Sequence, residues 1–376
     1  MNEKETKNMI VDDMLLTVDM PTTAGSKMLA GYQSPIAADA ILRAEAAGYT
    51  LLGKADVGEF VIDLLGETAI RGARMRDGVL KNATVEMLLA GEALVALCLD
   101  VNGYPRRAAA QEGLICLKPT FGAISRQGVV SVAPSGETVD ILARNTEECR
   151  ELFHAVSNCD SAEHATIHRV AVLTSFQKDV NDDVKQAIST AVSALENSEI
   201  SITYIKKDLV SAAKAAWNII LCAELCKNTA RYDGVRYGYC AEKFSGLDEL
   251  YTNSRTEGFG DLVKAAILYG SEVLSARNYQ NVYDKALRVR RVIADEFSKL
   301  FEKFDAILLP VCSQMEYIEE QIAHDKYIAF EENRFTAPAS LTCLPAVVTG
   351  GVQLIGKTNS EHALLNLAKI LAGEGE

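Results

Sequence analysis

The run GVLKNATVEMLLAGEALVALCLDVNGYPRRAAAQEGLICLKPTFG, residues 78–122, alternates apolar blocks with glycine-bearing turns. Residues 83–96 place Val85, Leu88, Leu89 and Ala96 at helical spacing, which predicts a helix. Residues 95–100 fit a strand or the end of that helix. Residues 113–117 are apolar and stop at the turn Lys118-Pro119-Thr120-Phe121-Gly122. Helix, apolar run and turn in this order indicate a mixed α/β chain.

Working outward, the N-terminal side repeats the theme. A short strand is expected around VDDMLLTV within residues 9–18, then a loop over 20–33. Ser34-Pro35 opens a helix over 36–47, Gly48 stops it, and residues 49–54 form a strand. On the C-terminal side, 129–132 reads as a strand and 145–156 as a helix with an Asn-Thr start and two glutamates in its first turn. A connector over 161–168 is followed by a strand at 169–173, a helix at 181–196 and a strand at 200–205. A helix over 209–230 carries Trp217. Residues 234–260 read as irregular and 261–304 as helical. A buried strand follows at 305–310, a short helix at 335–341, strands at 346–349 and 352–355, and a closing helix at 360–372. One domain over 1–376 is the simplest organisation, with 161–300 as a cap-like insertion.

Composition excludes several classes. The 376 residues are 48% hydrophobic and 24% charged, the balance of a globular protein. The net charge of −13, without any basic block, repels free nucleic acid. The N-terminus is polar with mixed charge and has no apolar signal core. No run of 18 apolar residues occurs, so no membrane span is expected. Nine scattered cysteines without a Cys-x2-Cys pair suggest reduced thiols in the cytoplasm. Cys222 and Cys226 share a helix face, but nothing completes a metal set around them. The five histidines lie in polar segments that read as exposed, away from any plausible nucleophile.

Several stretches carry a family resemblance: PTTAGSKML (21–29), GKADVGEF (53–60), GLICLKPTFG (113–122), SRQGVV (125–130), ARYDGVRYGY (230–239), SRTEGFG (254–260), FEKFD (301–305) and GVQLIGK (351–357). Together they resemble the amidase signature family, most nearly the branch formed by the A-type subunits of the Glu-tRNA(Gln)/Asp-tRNA(Asn) amidotransferases. The resemblance implies an α/β amidase-signature fold, with a mixed central sheet flanked by helices on both faces. It also implies an N-terminal truncation, because the family's first helical segment has no counterpart here. No cofactor or metal is implied. The implied partners are the B and C type subunits of such amidotransferases, with tRNA touched only indirectly.

The family's chemistry needs a nucleophilic serine, a second serine that relays a proton, and a buried lysine whose pKa burial lowers. Backbone N–H groups beside the nucleophile stabilise the oxyanion. The resemblance puts Lys54 at the lysine position, Leu80 at the relay serine and Tyr104 at the nucleophile. Val101, Asn102, Gly103 and Arg106 fall in the substrate or oxyanion loop, with Asp100 as scaffold. A carboxylate facing the substrate becomes Asn333. Tyr232, Arg236, Tyr237 and Arg255 are the candidates to face a partner. Losing a nucleophile costs about six orders of magnitude in turnover, roughly 8 kcal/mol of barrier. A phenol of pKa about 10 replaces it poorly. The expectation is a silent relative of the A-type amidotransferase subunits, in which Lys54 is a remnant hydrogen-bonded to Tyr104. Two alternatives stay open. One is an active glutaminase with a relocated nucleophile, Thr84, Ser131 and Ser135 being the nearest hydroxyls. The other is a module that binds a small amide.

Overall fold

The computed structural model describes residues 7–158 and 166–374. Its strands are β1 (Lys7–Asp12), β2 (Tyr49–Ala55), β3 (Arg74–Arg76), β4 (Val79–Lys81), β5 (Val95–Asp100), β6 (Ile115–Lys118), β7 (Thr138–Ala143), β8 (Arg169–Leu173), β9 (Ser201–Ile205), β10 (Ala306–Pro310), β11 (Ala346–Thr349) and β12 (Val352–Gly356). Its helices are α1 (Asp39–Ala46), α2 (Ala83–Leu89), α3 (Tyr104–Glu112), α4 (Thr146–Val156), α5 (Asp182–Asn197), α6 (Ala213–Thr229), α7 (Leu247–Gly258), α8 (Asp261–Val273), α9 (Asp284–Phe301), α10 (Glu319–His324), α11 (Ile328–Thr342) and α12 (Glu361–Leu371).

Ten strands form one mixed sheet in the order β2-β1-β5-β7-β6-β11-β12-β10-β8-β9, and β3 and β4 make a separate hairpin. β1 runs parallel to β2 and β5, while β7 and β6 are antiparallel to their neighbours. β8 runs parallel to β10 and β9. Every residue of β5, β6, β7, β10, β11 and β12 is buried, so helices cover both faces of the middle of the sheet. That is why these strands read as continuous apolar runs. The edge strand β9 is mostly exposed.

Some elements depart from the sequence reading. The helix expected over 83–96 stops at Leu89, because Gly91 takes φ 74° and Val95 already belongs to β5. The strand expected at 129–132 is only an isolated bridge from Val129 to Leu15; the strand of this stretch is β7. Residues 234–260 are not wholly irregular, since α7 lies within them. The short helix at 335–341 is the second half of the longer α11, which runs through Pro338. The stretch 161–300 is not a cap throughout: β8 and β9 join the central sheet, and α6, α8 and α9 cluster beside it. The connector at 161–168 falls mainly on 159–165, outside the described residues.

Residues 208–229 contain an 18-residue window of mean hydropathy 1.4, enough to cross a membrane by length and composition. Half of that stretch is buried in the fold, with Trp217, Ile220 and Leu221 fully covered, as in a core helix. His362 is buried rather than exposed, beside Arg150 and the ring of His154.

Candidate functional site

The site is built at the carboxyl ends of β1 and β5, where open α/β sheets gather functional groups. Asp100 ends β5, and α3 starts four residues later. The loop between them is closed by Asp100, whose Oδ1 accepts the Gly103 N–H at 2.6 Å. Its Oδ2 accepts from Arg106 Nε at 2.6 Å. Arg106 also donates from Nη1 to Gln353 Oε1 (2.7 Å) and Thr336 O (3.0 Å), and from Nη2 to Ser340 Oγ (2.8 Å). Burial alone would push Asp100 up, but the Arg106 guanidinium and Lys118 outweigh it and hold the carboxyl below its usual range. Gly103 sits at φ 93°, and a Cβ there would lie 2.3 Å from the Thr336 side chain. Asn102 is fixed by Nδ2 donation to Ile62 O at 2.8 Å, and its carbonyl accepts from Thr336 Oγ1 and Arg107.

Tyr104 is the first residue of α3 and is 1% exposed. Its hydroxyl has no hydrogen-bond partner among the described residues. It points at the 58–66 turn, 3.3 Å from where a Cβ on Gly66 would stand. Burial, then the carboxylates of Asp63 and Asp12, hold the phenol well above its ordinary range. Asp63 is fully buried. Its Oδ2 accepts from the N–H and hydroxyl of Thr68, both at 2.9 Å, while Oδ1 has no partner among the described residues. Burial, reinforced by Glu67, pushes its pKa up. Asp12 ends β1, accepting from Leu99 N (2.6 Å) and Met14 N (3.1 Å), and burial pushes it up to about 7.

Lys54 does not meet Tyr104, contrary to the expected hydrogen bond. Its Nζ lies 2.8 Å from Asp13 Oδ1 and donates to Thr22 Oγ1 at 2.6 Å and Pro21 O at 3.1 Å. Asp13 in turn holds the N–H and hydroxyl of Thr23. The ammonium therefore braces the 13–23 loop, where a carboxylate compensates it. Burial lowers its pKa and Asp13 opposes that shift. Carboxyl groups rather than a cation surround the phenol, and sequence reasoning missed both Asp12 and Asp63. The acid pair Asp12-Asp13 at the end of an apolar run was the available signal.

Leu80 is fully buried in β4, its N–H on Tyr317 O (2.8 Å) and its carbonyl on Gln111 Nε2 (2.8 Å). No hydroxyl stands at that position. The relocated-nucleophile candidates fare no better. Thr84 Oγ1 and Ser135 Oγ have no hydrogen-bond partner among the described residues, and Ser131 donates to Glu137 at 2.6 Å. Glu137 also accepts the N–H groups of Val132 and Ala133, and burial outweighs these bonds and raises its pKa. Asn333 is buried on α11, 2.7 Å from Asn218, and turned so that its nitrogen faces carbonyls it reaches Asn102 O at 2.9 Å. Val101 is buried.

Of the partner-facing candidates, Tyr232 turns inward. It is 7% exposed and packs on Phe60, ring centroids 5.7 Å apart. Arg255 also turns to the fold, donating to Thr229 O (2.8 Å) and Tyr232 O (2.9 Å) and lying over Phe259. Tyr237 is half-buried against Tyr32. Only Arg236 presents an exposed side chain, paired with Asp233 at 3.1 Å.

Comparison with known proteins agrees with this architecture. The family model described as Amidase matches residues 87–365. The A-type subunit of glutamyl-tRNA(Gln) amidotransferase from Symbiobacterium thermophilum is 32% identical over 392 residues, 95% of this chain and 80% of that protein. Its counterpart from Coxiella burnetii is 33% identical over 390 residues, 94% of this chain and 80% of that protein. The crystal structure of the corresponding Thermotoga maritima protein superposes with a TM-score of 0.79 at 24% identity, covering 97% of this chain and 82% of that one. Allophanate hydrolase of Kluyveromyces lactis gives 0.82 at 22% identity, covering 97% and 61%. With its sheet, its loop after β5 and these likenesses in agreement, the chain belongs to the amidase family.

Proposed function

We propose that this chain is a silent counterpart of the A-type amidotransferase subunits: it does not turn over amides and serves as a non-catalytic partner or scaffold. Tyr104 carries the proposal. At the position where the family resemblance expects a serine, a buried phenol fills the space, its ionisation suppressed by burial and by nearby carboxyl groups. Leu80 supplies no relay hydroxyl, and Lys54 is committed to Asp13. Acyl transfer would require a nucleophile that loses its proton, and here the surroundings oppose that loss. The intact Asp100–Arg106 framework supports retention of the fold for another use. B and C type amidotransferase subunits are the partners that the relatives suggest, with Arg236 on the exposed rim. The described cysteines, all unpaired, support a reducing, cytoplasmic setting.

Glutaminase and hydroxamate assays on the purified chain, alone and mixed with B and C type subunits, should give product at the uncatalysed rate. Turnover that survives repurification would overturn the proposal. Its loss in Tyr104→Phe would then identify the phenol as nucleophile.

A further inference from the structure

One cavity of about 410 Å³ lies between α6, α8 and the start of α11, and none of Lys54, Leu80 or Tyr104 lines it. Its size is that of a small-molecule site. The packing of α6 against α8 explains the opening. The two helices meet at Gly270, where an added Cβ would collide with the Cys222 carbonyl. Away from that crossing, Ala215, Ala265 and Ala266 face the gap with side chains too short to fill it. The wall that remains carries no charged residue. The amide of Asn218 is already held by Phe330 O at 3.0 Å and by the Asn333 side chain at 2.7 Å. Burial pushes the Cys222 thiol up to about 12 and raises the Tyr269 phenol, so both stay neutral at pH 7. Tyr269, Tyr327 and Phe330 supply three rings, and the two tyrosines are half exposed, which puts them at the mouth.

We propose that this cavity binds an uncharged molecule with an aromatic body. A charged ligand would leave water for a wall with no counter-charge and no uncommitted amide, a desolvation cost that nothing there offsets. A neutral ring carries no such hydration, and it gains offset or edge-on contact with the three aromatic side chains. A single polar substituent can stay in water at the mouth or meet a tyrosine hydroxyl there. The proposal does not rest on the silence of the Tyr104 site. Binding is read without turnover, so each can fail without the other.

Isothermal titration of the full chain with 2-naphthylmethanol tests it, against 2-naphthoate (same rings, anionic), 2-naphthylmethylamine (same rings, cationic) and cyclohexylmethanol (neutral, no aromatic ring). The aryl alcohol should bind with a Kd below about 1 mM, and both charged analogues at least about tenfold more weakly. Cyclohexylmethanol should bind about fivefold more weakly for want of ring contacts. Ala265→Phe should weaken the aryl alcohol about tenfold by filling the gap. A melting curve checks that this variant folds, and the exposed Tyr327→Ser, with a loss of about threefold, replaces it if it does not. Absence of binding at about 1 mM, equal binding of any of the three analogues, or affinity unchanged in the folded variant would each overturn the proposal.

Discussion

Replacing Tyr104 by phenylalanine removes one oxygen that finds no hydrogen-bond partner among the described residues. An unpaired buried hydroxyl costs about 1–3 kcal/mol in desolvation. Tyr104→Phe should therefore stabilise the protein by about 1 kcal/mol, read as a higher midpoint in urea unfolding. A loss of similar size would mean that the hydroxyl is bonded in solution, with Asp63, the carboxyl that acts most strongly on it, as the candidate. Residue by residue, the sequence brings out Tyr104 where the resemblance expects a serine, because the spacing from Asp100 to Lys118-Pro119-Thr120 leaves no gap. It does not say where Lys54 points. That direction depends on Asp13, 41 residues earlier, capturing the ammonium, and a sequence pattern holds no distance between such positions.

Among the elements, the legible ones are those whose burial leaves a periodic or continuous apolar mark. β10 (AILLP), β11 (AVVT) and β12 (VQLIG) are buried throughout and read as strands. β7 hides because Asp140 interrupts its apolar run. That buried carboxyl is tolerated through Thr138 Oγ1 at 2.7 Å and the nearby Lys118, partners visible only in the fold. α7 hides for the opposite reason: only Leu250, Ser254 and Gly258 are buried, so it has no apolar stripe. The start of α3 carries a prediction of its own. At Gly103 the left-handed backbone and the 2.3 Å approach to Thr336 both exclude a Cβ. Gly103→Ala should cost more than about 2 kcal/mol, because strain and overpacking add. A chemical-denaturation midpoint within error of the parent protein would refute this account of the loop.

For the molecule as a whole, pH acts through carboxyl groups that the fold buries. Burial pushes Asp12 and Glu59 each up to about 7. Glu59 ties distant segments together, accepting from Ser26 Oγ at 2.6 Å and from the Gly260 N–H at 2.8 Å. A carboxyl whose folded pKa exceeds its unfolded value of about 4 holds its proton more tightly in the folded state. The stability it contributes is complete below about pH 4 and is lost as pH rises through about 7. The melting temperature should fall between about pH 5 and about pH 8. The net charge of −13 adds self-repulsion in the same direction, so the decisive comparison is Glu59→Gln, which should show a shallower fall. Parallel profiles for the two proteins would remove Glu59 from the explanation.

The Arg106 network also sets a timetable for synthesis. Its guanidinium is completed by groups 230 to 247 positions further along the chain. At about 5–20 residues per second, the ribosome delivers Gln353 roughly 12 to 50 s after Arg106. Until then Asp100 and Arg106 can pair with each other, but the outer donors of Arg106 lack their acceptors. A nascent chain arrested before α11 would therefore hold an incompletely bonded guanidinium at the end of β5. The last third of the protein thus acts as the closing step of its own biogenesis.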